Sequence, residues 1–216
     1  MESNVLRGVN LTGWLTLEPW VTPTPFAHAR CVDEAQLIEV LGTSDYQSLV
    51  REHRSTFIQS SDFVSIASRG FNAVRISVPW YVFEEDSADT PYIGCIQELD
   101  NALDWAEELG LHVIFVLAVN PGLPDGLDNK PGGAPRTRIS RDKSLTILHK
   151  LGLHYAHRCG FYGIEVADEV NPRIRKGLQV SDGIPGHLLR NYYRRAYETI
   201  REVAGEEPVV ILPDGG

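Results

Sequence analysis

Gly110-Leu111-His112-Val113-Ile114-Phe115-Val116-Leu117-Ala118-Val119 decides the class of fold. From His112 to Val119 the chain is apolar on both alternating faces and rich in β-branched residues, as a parallel strand covered on each side must be. The stretch before it, Gln97 to Leu109, has a helical period. Leu99, Ala102, Leu103, Ala106 and Leu109 fall on one face, and Gly110 is placed to stop the helix. A helix, a glycine and a two-sided strand make one unit of an α/β repeat.

Working outward, the same unit recurs. Val5 to Leu11 reads as a first strand, followed by a long loop holding Pro19, Pro23 and Pro25. Tyr46 to Arg69 reads as one helix with Phe57, Ser61, Ile66 and Ala67 near one stripe, and Gly70 follows as its C′ residue. Phe71 to Val78 is a second strand. On the other side lie a loop from Asn120 to Ser140, a helix from Arg141 to Cys159, and a strand from Tyr162 to Val170. A helix from Leu188 to Ala204 and a strand from Pro208 to Pro213 complete the series. Alternation of this kind specifies a parallel sheet with right-handed crossovers.

An open doubly wound sheet and a barrel both satisfy that order. No G-x-G-x-x-G joins a strand to a helix, and no phosphate-binding P-loop is present. Connections after strands one, three and four are long, whereas those after helices one, two and four are short, which is the habit of barrel enzymes. A (β/α)8 barrel takes about 250 residues, and these 216 supply five strands and four helices. The expectation is a single domain over residues 1–216: a parallel α/β barrel of the TIM type, incomplete.

Composition narrows the partners. Twenty basic side chains stand against 29 acidic ones, a net charge of −9. Duplex nucleic acid and anionic membranes both require clustered Lys and Arg, so neither is expected as a partner. The longest apolar runs fall well short of the 18 or more residues that a bilayer span needs. Cys31, Cys95 and Cys159 are odd in number and far apart, which suggests buried or inert thiols rather than a disulfide framework or a metal knuckle. Met1-Glu2-Ser3-Asn4 lacks a secretory pattern, so the expected location is cytoplasmic. His149, His154 and His157 lie on a helix without a set of acidic or Cys partners and read as a solvated face.

Several motifs, in order, carry a resemblance. Gly8-Val9-Asn10-Leu11-Thr12-Gly13-Trp14-Leu15-Thr16-Leu17-Glu18-Pro19-Trp20 opens the series. Gly70-Phe71-Asn72-Ala73-Val74-Arg75-Ile76, Pro91-Tyr92-Ile93-Gly94 and Gly126-Leu127-Asp128-Asn129 follow, and then Gly163-Ile164-Glu165-Val166-Ala167-Asp168-Glu169. Together they resemble glycoside hydrolase family 5, in particular its exo-β-1,3-glucanase branch. The resemblance implies hydrolysis of a β-glucoside or β-glucan with retention, with no metal or organic cofactor. By position Glu169 is the acid/base. Glu18, Trp20, Arg75, Tyr81 and Asp168 are the implied substrate-binding residues, and Trp14 reads equally as subsite or core. The nucleophile of the family ends strand seven and is expected past residue 216. Retention requires the two carboxyl groups about 5–5.5 Å apart.

Period-two geometry supports part of this independently. Ala73, Arg75 and Ser77 share one face of strand two, while Glu165, Ala167 and Glu169 share one face of strand four. A guanidinium on an apolar strand must find a carboxylate, and Glu165 is the structural candidate for that pairing. The chain departs from the family at Asp168, where the family has Asn, at Val170 in place of Pro, and at Ala118 in place of a site His. The alternative expectation is a non-catalytic half-barrel, or carbohydrate-binding relic, whose apolar inner face associates with a second copy or with a complementing C-terminal half-barrel.

Overall fold

The structure is a computed structural model describing residues 5–85, 90–119, 138–168, 170, 172–173, 175–176, 179–180 and 184–214. In chain order its elements are β1 (Gly8–Leu11), α1 (Pro23–Ala29), α2 (Glu34–Leu41), α3 (Thr43–Phe57), α4 (Ser60–Ser68), β2 (Ala73–Pro79) and α5 (Ile96–Leu109). They continue with β3 (His112–Val119), α6 (Arg138–Tyr155), β4 (Phe161–Glu165), β5 (Arg175–Lys176), β6 (Gln179–Val180), α7 (Gly186–Ala204) and β7 (Val209–Ile211). Five strands form one wholly parallel sheet in the order β1-β2-β3-β4-β7, so neighbours in sequence are neighbours in space. This is the strand order of a (β/α) barrel rather than of a doubly wound sheet, whose order reverses at a switch point. β5 and β6 pair separately as a short antiparallel ribbon.

One face of the sheet carries the core. Val74, Ile76 and Val78 of β2 and Val113, Phe115 and Leu117 of β3 are buried together with Leu99, Ala102, Leu103 and Ala106 of α5 and Leu148, Leu151 and Tyr155 of α6. Each fully buried aliphatic side chain contributes about 1.5–3 kcal/mol, so this layer fixes the sheet. The opposite face holds the alternate residues, including Ala73, Arg75 and Ser77. A second cluster, built from Leu17, Phe26, Cys31, Leu37, Tyr46, Val50 and Ile93, lies under α1, α2 and α3.

The helix expected from Tyr46 to Arg69 is two helices. Ile58 is extended, with φ −125° and ψ 129°, and Gln59 begins α4 in a reciprocal capping box with Asp62. The break moves the apolar stripe: Phe63 is buried, whereas Phe57 and Ser61 are exposed. The proline-rich stretch after β1 is not all loop. Pro23 sits in the first turn of α1, where its missing N–H costs nothing, and Asp33 caps α2 by accepting from the Gln36 N–H at 2.8 Å.

Strand four is shorter than expected, ending at Glu165 because its partner β7 ends at Ile211. Strand one begins at Gly8 rather than Val5, and α6 runs from Arg138 to Tyr155 rather than from Arg141 to Cys159. Cys31 and Cys95 are buried as expected, and burial pushes the Cys95 thiol up to about 12. Cys159, by contrast, is exposed.

Candidate active site at the carboxyl ends of the strands

Arg75 organises the face of the sheet opposite the α5 and α6 layer. It is the third residue of β2, paired in register with Asn10 of β1 and Ile114 of β3, and Ile114 in turn pairs with Gly163 of β4. Adjacent strands are about 4.8 Å apart, so a side chain on β2 must be long to reach β4, and Arg is long enough. Its Nε donates to Glu165 Oε2 at 2.7 Å, its Nη2 to Asp168 Oδ1 at 2.6 Å, and its Nη1 to Asn10 Oδ1 at 3.3 Å.

The three charged side chains are about three-quarters or more shielded from solvent. Burial opposes the charge on Arg75, yet the hydrogen bonds from Glu165 and Asp168 outweigh it and hold the guanidinium above its usual range. Two carboxylates facing one cation leave the cluster net negative. The pairing expected from sequence, Arg75 with Glu165, is present, and Asp168 joins it. Glu169, the residue expected to be acid/base, follows Asp168 and lies outside the described residues, as does the 120–137 stretch with its Gly126-Leu127-Asp128-Asn129 motif.

The turn after β1 holds Glu18. Its Oε1 accepts from the Thr12 hydroxyl at 2.9 Å, the Gly13 N–H at 3.0 Å and the Thr16 hydroxyl at 3.4 Å, all within one turn of chain. Gly13 adopts φ +71°, and a Cβ there would lie 2.6 Å from Val21, so this tight turn requires glycine. Trp20, two residues on, is 66% exposed. Trp14 is core: it is buried, stacks on Trp105, and donates its indole N–H to the Arg54 carbonyl at 3.0 Å.

Tyr81 follows β2 and is also buried, its ring stacked on Tyr92 at 4.5 Å and its hydroxyl donated to Glu34 Oε2 at 3.1 Å. Trp80 meets both tyrosine rings edge-on. Glu18, Trp20, Tyr81 and Asp168 therefore all follow the carboxyl ends of strands. Arg75 and Asp168 are in direct contact, while Glu18 bonds within its own turn and Tyr81 bonds to Glu34.

Sequence reasoning missed Asn10, Glu34 and Arg54. Asn10 was findable, since period two places it on the same face of β1 as Arg75 occupies on β2. Glu34 and Arg54 were not, because an acid in a stretch read as loop and an Arg inside a polar helix both read as surface residues. His154 Nε2 lies 3.7 Å from Asp100 Oδ1, an acidic neighbour the sequence did not suggest. Among the described residues no group of three or more His, Cys, Asp or Glu is arranged to hold a metal ion. No described helix is long and apolar enough to cross a membrane.

Comparison with known proteins gives these residues a context. No family model matches the chain. Over 220 residues it is 33% identical to the protein named "Probable glucan 1,3-beta-glucosidase A" of Aspergillus fumigatus, covering 99% of this chain and 50% of that protein. It is 30% identical over 231 residues to the glucan 1,3-beta-glucosidase of Lachancea kluyveri, with the same two coverages. The chain is homologous to glucan 1,3-beta-glucosidases. It spans about half the length of the curated relatives it matches.

Its fold is that of the barrel glycosidases. The rutinosidase of Aspergillus niger superposes with a TM-score of 0.73 at 19% identity, over 94% of this chain and 61% of the enzyme. A trimodular GH5_4 subfamily endoglucanase gives 0.52 at 20% identity, over 72% of this chain and 29% of that one. The five parallel strands with flanking helices are thus an incomplete TIM-type barrel.

Proposed function

We propose that this chain forms the proton-donor side of a retaining β-glycosidase cleft, acting on β-glucosides or β-glucan oligosaccharides, with Glu169 as acid/base. The observation that carries the reading is the Arg75 fork. It ties Asp168, the residue preceding Glu169, to the interior of the sheet at 2.6 Å, in a chain homologous to glucan 1,3-beta-glucosidases over 99% of its length. Preorganising the residue beside a general acid is what such chemistry needs, because small misplacements cost orders of magnitude in rate.

In this reading Glu169 protonates the leaving glycosidic oxygen and then takes a proton from the attacking water. Glu18 and Trp20 line the sugar subsite together with Arg75 and Asp168, and Tyr81, buried against Tyr92 and Glu34, supports it from within. The Asp168 carboxylate, held by Arg75, accepts from a sugar hydroxyl, where an Asn amide would donate. The attacking carboxylate comes from the strands that complete the barrel. The test combines the purified chain with the C-terminal half-barrel of a relative and follows release of nitrophenol from an aryl β-glucoside. Turnover that is lost in Glu169→Gln supports the reading. Equal turnover by wild type and Glu169→Gln, or none from the wild-type combination, overturns it.

A second reading has its own observation. β1 and β7 end the sheet, and Val209 and Leu212 at the β7 edge are 38% and 43% exposed. An uncovered parallel edge is an association surface, which suits a non-catalytic half-barrel that pairs with itself. A dimer in light scattering, with no turnover after complementation, favours it.

A further inference from the structure

We propose that Glu34 is a positioning residue that holds the Glu18 turn and the Tyr81 aromatic group in one fixed relation at the mouth of the sheet. Its carboxylate collects donors from three separate parts of the chain. Oε1 accepts from the Leu17 N–H at 3.1 Å and from the Tyr46 hydroxyl of α3 at 2.9 Å, and Oε2 accepts from the Tyr81 hydroxyl at 3.1 Å. Leu17 directly precedes Glu18, and Tyr81 carries the stack with Tyr92 and the edge contact with Trp80. One carboxylate thus joins the turn after β1 to the connection after β2.

Arg54 braces the same two connections from α3. Its Nη2 donates to the Leu15 carbonyl at 2.8 Å and to the Ile93 carbonyl at 3.2 Å, and its Nη1 donates to the Gly94 carbonyl at 2.8 Å. Its own carbonyl accepts from Trp14. Removing a carboxylate and a guanidinium from water is expensive, and apolar side chains of similar size would pack the space at lower cost. What the charged pair supplies and an apolar pair cannot is direction, since each bond fixes one backbone or hydroxyl position. Burial raises the Glu34 pKa, and the Leu17, Tyr46 and Tyr81 donors offset part of that rise.

The sugar-binding consequence rests on the function proposed above; the structural consequence does not. The experiment measures amide exchange at Gly13, whose N–H donates to Glu18, with Val113 in β3 as the distant reference, in wild type, Glu34→Ala and Glu34→Gln. Laminari-oligosaccharide affinity is measured on the same proteins. Glu34→Ala is expected to speed Gly13 exchange about tenfold, the size of one lost hydrogen bond to a charged group, and to leave Val113 unchanged.

Glu34→Gln is expected to restore protection. Its oxygen can accept from Leu17 and Tyr46, and its amide can donate to the Tyr81 oxygen. Affinity is expected to fall about tenfold in Glu34→Ala and to recover in Glu34→Gln. If Glu34→Ala does not fold, Tyr81→Phe carries the test, with Gly13 exchange about threefold faster expected because only one of the three donors to the Glu34 carboxylate is lost. Unchanged Gly13 exchange in the variant measured, or loss of protection at Val113 to the same degree, overturns the proposal. Gly13 exchange that depends on Glu34 in a protein that binds no oligosaccharide upholds the positioning role and overturns the sugar reading.

Discussion

The guanidinium of Arg75 and the carboxylate of Asp168, 93 residues apart in sequence, meet at 2.6 Å on the face of the sheet opposite α5 and α6. The contact joins β2 to the segment leaving β4, and it depends on Glu165 sharing the cation. Arg75→Met leaves Glu165 and Asp168 facing each other without a partner. It should cost about 3–5 kcal/mol, the range for stranding a buried charge, read as a lower urea midpoint with unchanged m-value. Arg75→Lys should recover only part of that loss, because an ammonium cannot form the fork.

Asp168→Asn separates charge from shape. Arg75 keeps Glu165, and the amide oxygen can still accept from Nη2, so the loss of stability should be about 1 kcal/mol. The same change installs the amide that the family carries at this position. In the complemented enzyme, turnover of an aryl β-glucoside should therefore rise. A fall in kcat with stability nearly intact would place the carboxylate itself in the reaction.

Gly163 has no room for a side chain, since a Cβ would sit 2.1 Å from the Val209 carbonyl oxygen. Gly163→Ala must push β7 away from β4. Overpacking of this kind costs about 1–3 kcal/mol. Amide exchange should accelerate at Val166, whose N–H donates to the Ile211 carbonyl across that junction, before it changes in β2.

His53 gives the stability a pH dependence. Its ring stacks on Phe57, and its Nε2 bonds the Gly13 carbonyl at 2.7 Å. Desolvation lowers its pKa, the Gly13 bond opposes that shift, and Arg54 adds to it. The folded pKa thus lies below the unfolded value of about 6.5, so the unfolded chain binds the proton first. Stability should be full above that value and fall as the pH drops from it toward the folded pKa. Urea midpoints measured from pH 8 to pH 5 should show this fall in wild type and a flatter profile in His53→Gln.

Where local pattern and tertiary packing agreed, the sequence could be read closely. β3 begins and ends where its apolar run does, and α5 buries Leu99, Ala102, Leu103 and Ala106 and stops at Gly110 with φ +66°. The parallel barrel-type sheet followed from that repeat. The helix before β2 was misread because nothing apolar marks the break at Ile58. What ends α3 there is a backbone cap by Gln59 and Asp62, two residues equally at home inside a helix. α1 was hidden behind Pro23 and Pro25, which suit a first helical turn as well as a loop. Arg75 was legible because a charge on an apolar strand demands a partner. Glu34 was not, since its three donors come from 17, 12 and 47 residues away and only the folded chain assembles them.

The small cluster beneath α1, α2 and α3 gives the connections after β1 and β2 a foundation of their own. Leu17, Phe26, Leu37, Tyr46 and Val50 pack on one another, apart from the layer between the sheet and α5 and α6. Exchanges among them can shift those connections while strand register stays put. Under the function proposed above, selectivity for one glycan over another can therefore drift on this side of the molecule without the barrel having to be rebuilt.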